Sequence, residues 1–309
     1  MTERIAFATA PADFLGNDDT DRPLHESACA AIGLDLDYQV WSDPRVVWDD
    51  YDLVVVRSTW DYLDHLDAYR AWIGRMGGLG TLCNPAPVIL WNLDKRYLGD
   101  LADAGVPVVP TAFCETAEAV AAALTACPGE VVVKPVVSAG SKLTGRFAHS
   151  SPDAGALARR ILATGLAVLV QPAIGSVATQ GEVSTLLFGG VISHSVRKGP
   201  LLALGGGLVG GTYAEHLELE VLTSARSQVV LAAATAVSGL MATRLAVDEP
   251  LLYARVDVVT LDDGSEAVLE VEMAEPAFFL ATAAGSAERF AIEVARRAVV
   301  SRLARAHGR

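Results

Sequence analysis

The stretch from Tyr253 to Pro276, YARVDVVTLDDGSEAVLEVEMAEP, constrains the fold more than any other part of the chain. Two runs of alternating residues flank Asp-Asp-Gly-Ser, which is the pattern of an antiparallel hairpin. If Asp263 and Gly264 form a two-residue turn, Asp257 faces Glu270 and Arg255 faces Glu272 across the ladder. Ala254, Val256, Val258, Leu269, Val271 and Met273 then share the other face, so one face is core and the other is charged. Two acids directly across a ladder repel each other. A divalent cation between them relieves the repulsion; so does a solvated outer face with an Arg255–Glu272 salt bridge. The hairpin alone leaves both readings open.

The chain has 309 residues, 51% of them hydrophobic, enough for a large core in two or three compact units. A formal net charge of −13, with no Lys/Arg-rich run, argues against nucleic acid and anionic membrane as partners. Small molecules remain, and an anionic one requires a local cluster of the scarce basic residues. Cys29, Cys83, Cys114 and Cys127 form neither a CxxC pair nor a zinc spacing and read as small buried hydrophobes in a reducing compartment. MTERIAFATA lacks the basic and long apolar regions of a secretory signal. The apolar run from Val229 to Leu240 is short and rich in small residues for a bilayer span, so a cytoplasmic location is expected.

IAFATA, the helix-like ESACAAIG, LDLDYQVW and DLVVVRS together predict an open, Rossmann-like N-terminal domain over residues 1–91. Its first βα turn, ATAPADFLGND, lacks the glycines of a nicotinamide fingerprint. Ligands in such sheets bind beyond the carboxyl ends of strands, which puts RSTWDY at a binding edge with Arg57, Ser58 and Trp60 as substrate contacts. The alternative is that Trp60 and Tyr62 begin an amphipathic helix. After the turn at Asn84–Pro87, NLDKRYLGDLADAG reads as a helix carrying Lys95, opening a small α+β unit over 92–171. A third unit, 172–309, holds the strands GEVSTLLFGG and VISHSVRK, an Ala-rich helix, the hairpin and a C-terminal helix.

Lys134 closes the apolar strand EVVVKP before a small-residue loop that includes Ser138, Gly140 and Ser141. These are the ingredients of a polyphosphate cover, although a strand-end lysine also reaches solvent. The order GxxxxGK[ST] of a P-loop is absent. GGGLVGG, from Gly205 to Gly211, formally matches GxGxxG but follows no first βα turn, so it reads as a mobile loop over a site or a plain surface loop. Arg197 and Lys198 end a strand beside it, and His194 reads as a packed strand residue.

Taken in order, Lys95, VVVKP with its loop, LVQPAI, GEVS, VRK, ARVD and LEVE resemble an ATP-grasp enzyme over nearly the whole chain. The resemblance implies an N-terminal substrate domain followed by a two-domain ATP-grasp fold, with ATP and Mg2+ between two α+β units. It implies that Lys95, Lys134 and the Ser138, Gly140, Ser141 loop contact phosphates. Gln171, Ala173 and Ile174 would form the adenine hinge, and Glu182 would hold the ribose. Arg255, with Lys198 or Arg197, would stabilise the transferring phosphate. Asp257 and Glu270 would bind magnesium, while Glu272, where many relatives carry Asn, either joins them or pairs with Arg255. Ser184 joins the substrate set. VRSTWDY, WNLDKRYL, SVATQGEVS, HSVRK and EPAFFL most resemble the branch containing the cyclo-ligase of D-cycloserine biosynthesis. That implies an amino-acid-like substrate, O-ureido-D-serine, activated at its carboxylate and closed by its own nitrogen. An intermolecular carboxylate–amine ligase and a non-catalytic nucleotide-binding module are the alternatives, and the oligomeric state, a homo-oligomer included, stays open.

Overall fold

The computed structural model describes residues 3–16, 19–209 and 216–306. Four parallel strands, β1 (Arg4–Thr9), β2 (Asp35–Val40), β3 (Leu53–Val56) and β4 (Leu82–Cys83), form a first sheet in the order β2-β1-β3-β4. Successive residues of β1 and β3 go to opposite cores. Ala6, Ala8, Val54 and Val56 meet Trp72 and Ile73 of the helix Leu66–Leu79. Ile5, Phe7, Leu53 and Val55 meet Ala28 of the helix Arg22–Ala31 and Phe290 of the helix Ser286–Ala306. Burial on both faces is why these strands read as unbroken apolar runs.

The second sheet is antiparallel, in the order β5-β8-β6-β7, from β5 (Ala112–Cys114), β6 (Glu130–Pro135), β7 (Gly145–Ala148) and β8 (Val168–Pro172). The helices Ala117–Ala126 and Pro152–Leu162 pack on it, each started by a hydroxyl cap: Thr116 accepts from the Ala119 amide and Ser151 from the Asp153 amide. Strand β7 was not foreseen; its small, polar surroundings read as loop.

The third sheet runs β11-β10-β9-β12-β13, all antiparallel, from β9 (Glu182–Phe188), β10 (Val191–Lys198), β11 (Leu217–Glu220), β12 (Tyr253–Thr260) and β13 (Glu266–Glu272). The register pairs Asp257 with Glu270 and Arg255 with Glu272, as expected, but by a different route. The loop has three residues, since the Leu261 amide bonds the Ser265 carbonyl, and a bulge at Leu269 restores the pairing. The bulge removes Leu269 from the predicted apolar face, which Val268 occupies instead; Leu269 packs beside Val109 and Val259.

The helix Ser224–Arg244 lies on that apolar face through Val229, Val230, Ala233, Val237 and Met241. At 21 residues it is long and apolar enough to cross a membrane by length and composition, so the expected shortness does not hold. What distinguishes the helix is its packing against Val256, Val258 and Val271.

Edge strand β13 is closed by side chains rather than by another full strand. Asn92 donates to the Val271 carbonyl (2.7 Å) and accepts from the Met273 amide (2.6 Å), and the Tyr97 hydroxyl accepts from the Val271 amide (2.9 Å). Lys95 lies between these two anchors, in the turn between the helices Ala86–Asn92 and Tyr97–Asp103. It is therefore not on a helix, as the sequence suggested, and only 6% of it is exposed.

Candidate active site

One face of the third sheet carries two environments. Near Tyr253 and Phe188 it is covered by Phe278 and Phe290. Two residues further along β12 it becomes ionic. Asp257, Lys198 and Arg255 are all buried there, and Ser184 lies next to Asp257 on β9.

Each acid on this face is held by cations. Asp257 takes Lys198 at 3.3 Å and Arg255 at 2.9 Å. Burial by itself would raise the Asp257 carboxyl, but the Arg255 and Lys198 charges outweigh it and hold the group well below the usual carboxylate range. Glu270 takes Lys95 at 2.7 Å and Lys134 at 3.8 Å, the latter arriving from the end of β6. These two lysines overcome the burial of Glu270 and keep its pKa low. Lys134 is in turn depressed by burial, which its distant partner only partly offsets and nearby Lys95 reinforces. Lys95 also donates to the Ser138 carbonyl at 2.9 Å, tying the small-residue loop to the site.

Glu272 differs from its neighbours. Arg255 bonds it, yet burial and the adjacent charges of Glu270, Asp257 and Glu275 push its pKa up to about 8. Carboxylates thus crowd this corner beyond what the arginine neutralises. Hard oxygen donors with surplus repulsion suit a magnesium ion, which takes one or two carboxylates and completes its shell with phosphate and water. Among the described residues no three His, Cys, Asp or Glu side chains are grouped to hold a metal, so Asp257, Glu270 and Glu272 are not brought together as a three-carboxylate cage.

Glu182, at the start of β9, pairs with Lys198. The preceding Gly181 has φ of +70°, and a Cβ there would overlap the Lys198 carbonyl, so only glycine admits this approach. Arg197 points the other way. It shares Glu220 with Arg226 of the helix Ser224–Arg244, on the sheet face opposite Asp257, because strand neighbours alternate. Of the two basic residues ending VRK, the sheet brings only Lys198 to the acids. His194 is packed, with Nε2 at 2.8 Å from the Phe278 carbonyl oxygen.

The segment expected to form the hinge is partly committed to contacts within the protein. Gln171 is buried and donates to Thr111 Oγ1 (2.8 Å), the Ala173 amide donates to the Glu130 carbonyl (2.9 Å), and Ile174 packs beside Val109 and Val259. Gly140 and Ser141 have φ of +55° and +57°, turning the loop after β6 back into β7. Gly205 and Gly206 both donate to the Arg146 carbonyl of β7, at 2.9 and 3.1 Å, so the second glycine cluster bridges the third sheet to the second. Gly210 and Gly211, at its far end, lie outside the described residues.

RSTWDY sits at the predicted edge of the first sheet but binds protein. Arg57 is buried against Phe278, 3.4 Å from the ring centroid, and donates to the Pro276 carbonyl at 3.0 Å. Ser58 bonds Thr9 and Asp19. Trp60 donates to the Glu275 carbonyl at 2.9 Å from a 3-10 turn, Trp60–Asp64, and does not begin a long helix. Arg57 and Trp60 thus clamp the segment that leaves β13. The residue they hold, Glu275, is one that the sequence reading missed; an acid directly before Pro276 is the signal that marked it.

Two α+β sheets that close lysines from one side and carboxylates from the other define the ATP-grasp class of ligases. The chain is 36% identical, over 90% of its length and 94% of the relative's, to the cycloserine biosynthesis protein DcsG of Streptomyces lavendulae, and it belongs to that family. The family model for the D-cycloserine synthetase DcsG N-terminal domain matches residues 5–84. The crystal structure of D-cycloserine synthetase DcsG superposes with a TM-score of 0.88 at 33% identity, covering 96% of this chain and 99% of that one. The ATP-grasp ligase PsnB, solved with minimal precursor, Mg and ADP, shares the fold at a TM-score of 0.62 and 17% identity, covering 96% of this chain and 98% of its own. The protein is an ATP-dependent carbon–nitrogen ligase.

Proposed function

We propose that the chain uses ATP to convert a substrate carboxylate to an acyl phosphate, which a nitrogen of the same molecule captures with release of phosphate. The proposed substrate is O-ureido-D-serine; ring closure leaves the carbamoyl group on the ring nitrogen, and its hydrolysis by one water to CO2 and ammonia gives the product D-cycloserine. The observation that carries the phosphoryl chemistry is the convergence of Lys95, Lys134, Lys198 and Arg255 around Asp257 and Glu270 on one buried face. The choice of substrate is supported by kinship with the cycloserine biosynthesis protein.

In this reading the nucleotide lies between units 92–171 and 172–309. Lys95 and Lys134 orient its phosphates, under the loop of Ser138, Gly140 and Ser141. Glu182 faces the ribose, and hinge carbonyls between Gln171 and Ile174 face the base. Arg255 and Lys198 hold the charge that develops on the transferring oxygens, so catalysis is positioning and electrostatics with no protein nucleophile. Asp257 and Glu270, with Glu272, would hold magnesium, which when bound would supply positive charge to neutralise the phosphates. The two glycine-bearing loops exclude water, the competitor for an acyl phosphate.

The test is magnesium-dependent ADP release with O-ureido-D-serine and mass detection of the product. ADP release with a cyclic product is the expected result. ADP release only when a separate amine is supplied would overturn the intramolecular step, and no release with any carboxylate would overturn the reaction.

A further inference from the structure

We propose that Glu275 recognises the positively charged ammonium group of the amino-acid substrate and so selects which carboxylates reach the phosphoryl-transfer site. The inference rests on the reading of this site as one that activates an amino-acid carboxylate.

Glu275 is fixed at three points by the RSTWDY segment. Trp60 Nε1 holds its carbonyl at 2.9 Å, Arg57 holds the next carbonyl, and the Tyr62 hydroxyl faces its carboxyl and favours the charged form. Tyr62 is itself immobilised: it is 2% exposed and stacked on Tyr69 at 4.9 Å, whose hydroxyl bonds Thr59. Such support is more than a solvent-facing acid requires.

Charge identifies the ligand. Asp257, Glu270 and Glu272 each have a Lys or Arg within 4.0 Å, whereas among the described residues Glu275 has no ion-pair partner at that distance. The nearest cations, Lys95 and Arg255, influence it only from further off because they are bound to the other three acids. A part-buried carboxylate supported by a neutral hydroxyl is stabilised when a cation joins it. Lys95 and Arg255 are also the near members of the cluster of cations that extends to Lys134 and Lys198. A zwitterionic amino acid matches this division, its carboxylate toward Lys and Arg and its ammonium toward Glu275.

The position also fits the fold. Glu275 lies where the hairpin meets the carboxyl-end edge of the parallel first sheet, so that domain contributes to substrate choice through Tyr62 and Trp60 rather than by its own contact with substrate. Tyr62 is then a positioning residue.

The experiment compares equilibrium binding of O-ureido-D-serine and of 3-(ureidooxy)propanoate, its counterpart without the amine, to the wild type, Glu275→Gln and Tyr62→Phe in the presence of a non-hydrolysable ATP analogue. Binding of that analogue itself reports that each variant is folded. Glu275→Gln is expected to weaken O-ureido-D-serine by about 10- to 100-fold, the range for losing a charged hydrogen bond, while leaving the amine-free compound within about twofold. Tyr62→Phe is expected to produce the same selective loss at smaller size, about threefold to tenfold, as a neutral hydrogen bond would. Equal weakening of both ligands, no change in either, or a wild type that does not prefer the amine-bearing ligand would overturn the proposal. Failure of the broader reading has a different signature, the absence of ADP release despite selective binding.

Discussion

The two halves of one sheet face, separated by two residues along β12, behave in opposite ways. At Tyr253 the face is sealed by Phe188, Phe278 and Phe290, with Arg57 lying over the Phe278 ring. At Arg255 and Asp257 the same face is ionic: Asp257, Lys198 and Arg255 are buried there as paired charges, with the Phe279 ring beside the two cations. The aromatic half lowers the free energy of the fold. The ionic half is tolerated by it, because charges taken out of water recover only part of their hydration through pairing. One strand thus joins a stabilising region to a working one, and mutations should separate them.

The largest expected effect is on the aromatic side. Phe278→Ala removes a fully buried ring and should destabilise the protein by about 3–5 kcal/mol, measurable as a lower denaturation midpoint. Unchanged stability would show that the aromatic half does not support the fold. Lys134→Met should do the reverse, lowering ATP turnover by about 10²–10³-fold, as expected for a lost phosphate contact, with stability held or increased. Its single acidic partner at 3.8 Å compensates poorly for burial, so a fall in melting temperature alongside activity would merge the two halves.

Glu272 gives a pH-dependent test. Its pKa in the fold, about 8, lies above the ordinary 4.5, so the folded state favours the protonated form. That stabilisation is complete below pH 4.5 and is lost as pH rises through about 8. Melting temperature of the nucleotide-free protein should therefore decline across this window, and Glu272→Gln should flatten the decline. An unchanged slope in the variant would remove Glu272 as its source. The smallest effect belongs to Arg197→Ala: since the side chain serves Glu220 on the opposite face, turnover should stay within about twofold of wild type, in line with the small value of a half-exposed ion pair. A hundredfold loss would return Arg197 to the site.

These contrasts also explain what was legible in the sequence. Facing acids at Asp257 and Glu270 could be read because strand periodicity is strict and the hairpin is local. The three-residue loop and the Leu269 bulge could not, since their shifts cancel at the site and leave the pattern intact. Arg197 and Lys198 are adjacent in sequence, and only knowing the strand's orientation tells which one faces the acids. Arg57 carries the chemistry of a carboxylate binder, yet its surroundings come from residues more than 200 positions away, at Pro276 and Phe278. Glu275 escaped attention because it falls beyond the last paired residue of β13, where alternation no longer assigns a face.

The paired donation from Gly205 and Gly206 to the Arg146 carbonyl has a consequence for kinetics. A single acceptor receiving two amide protons works as a clasp between the loop after β10 and strand β7, and the Gly206 amide is shared with the Ala203 carbonyl at 3.3 Å. Deuterium uptake at these two amides should therefore be slowed together, and rapid uptake at both would show that the clasp does not hold.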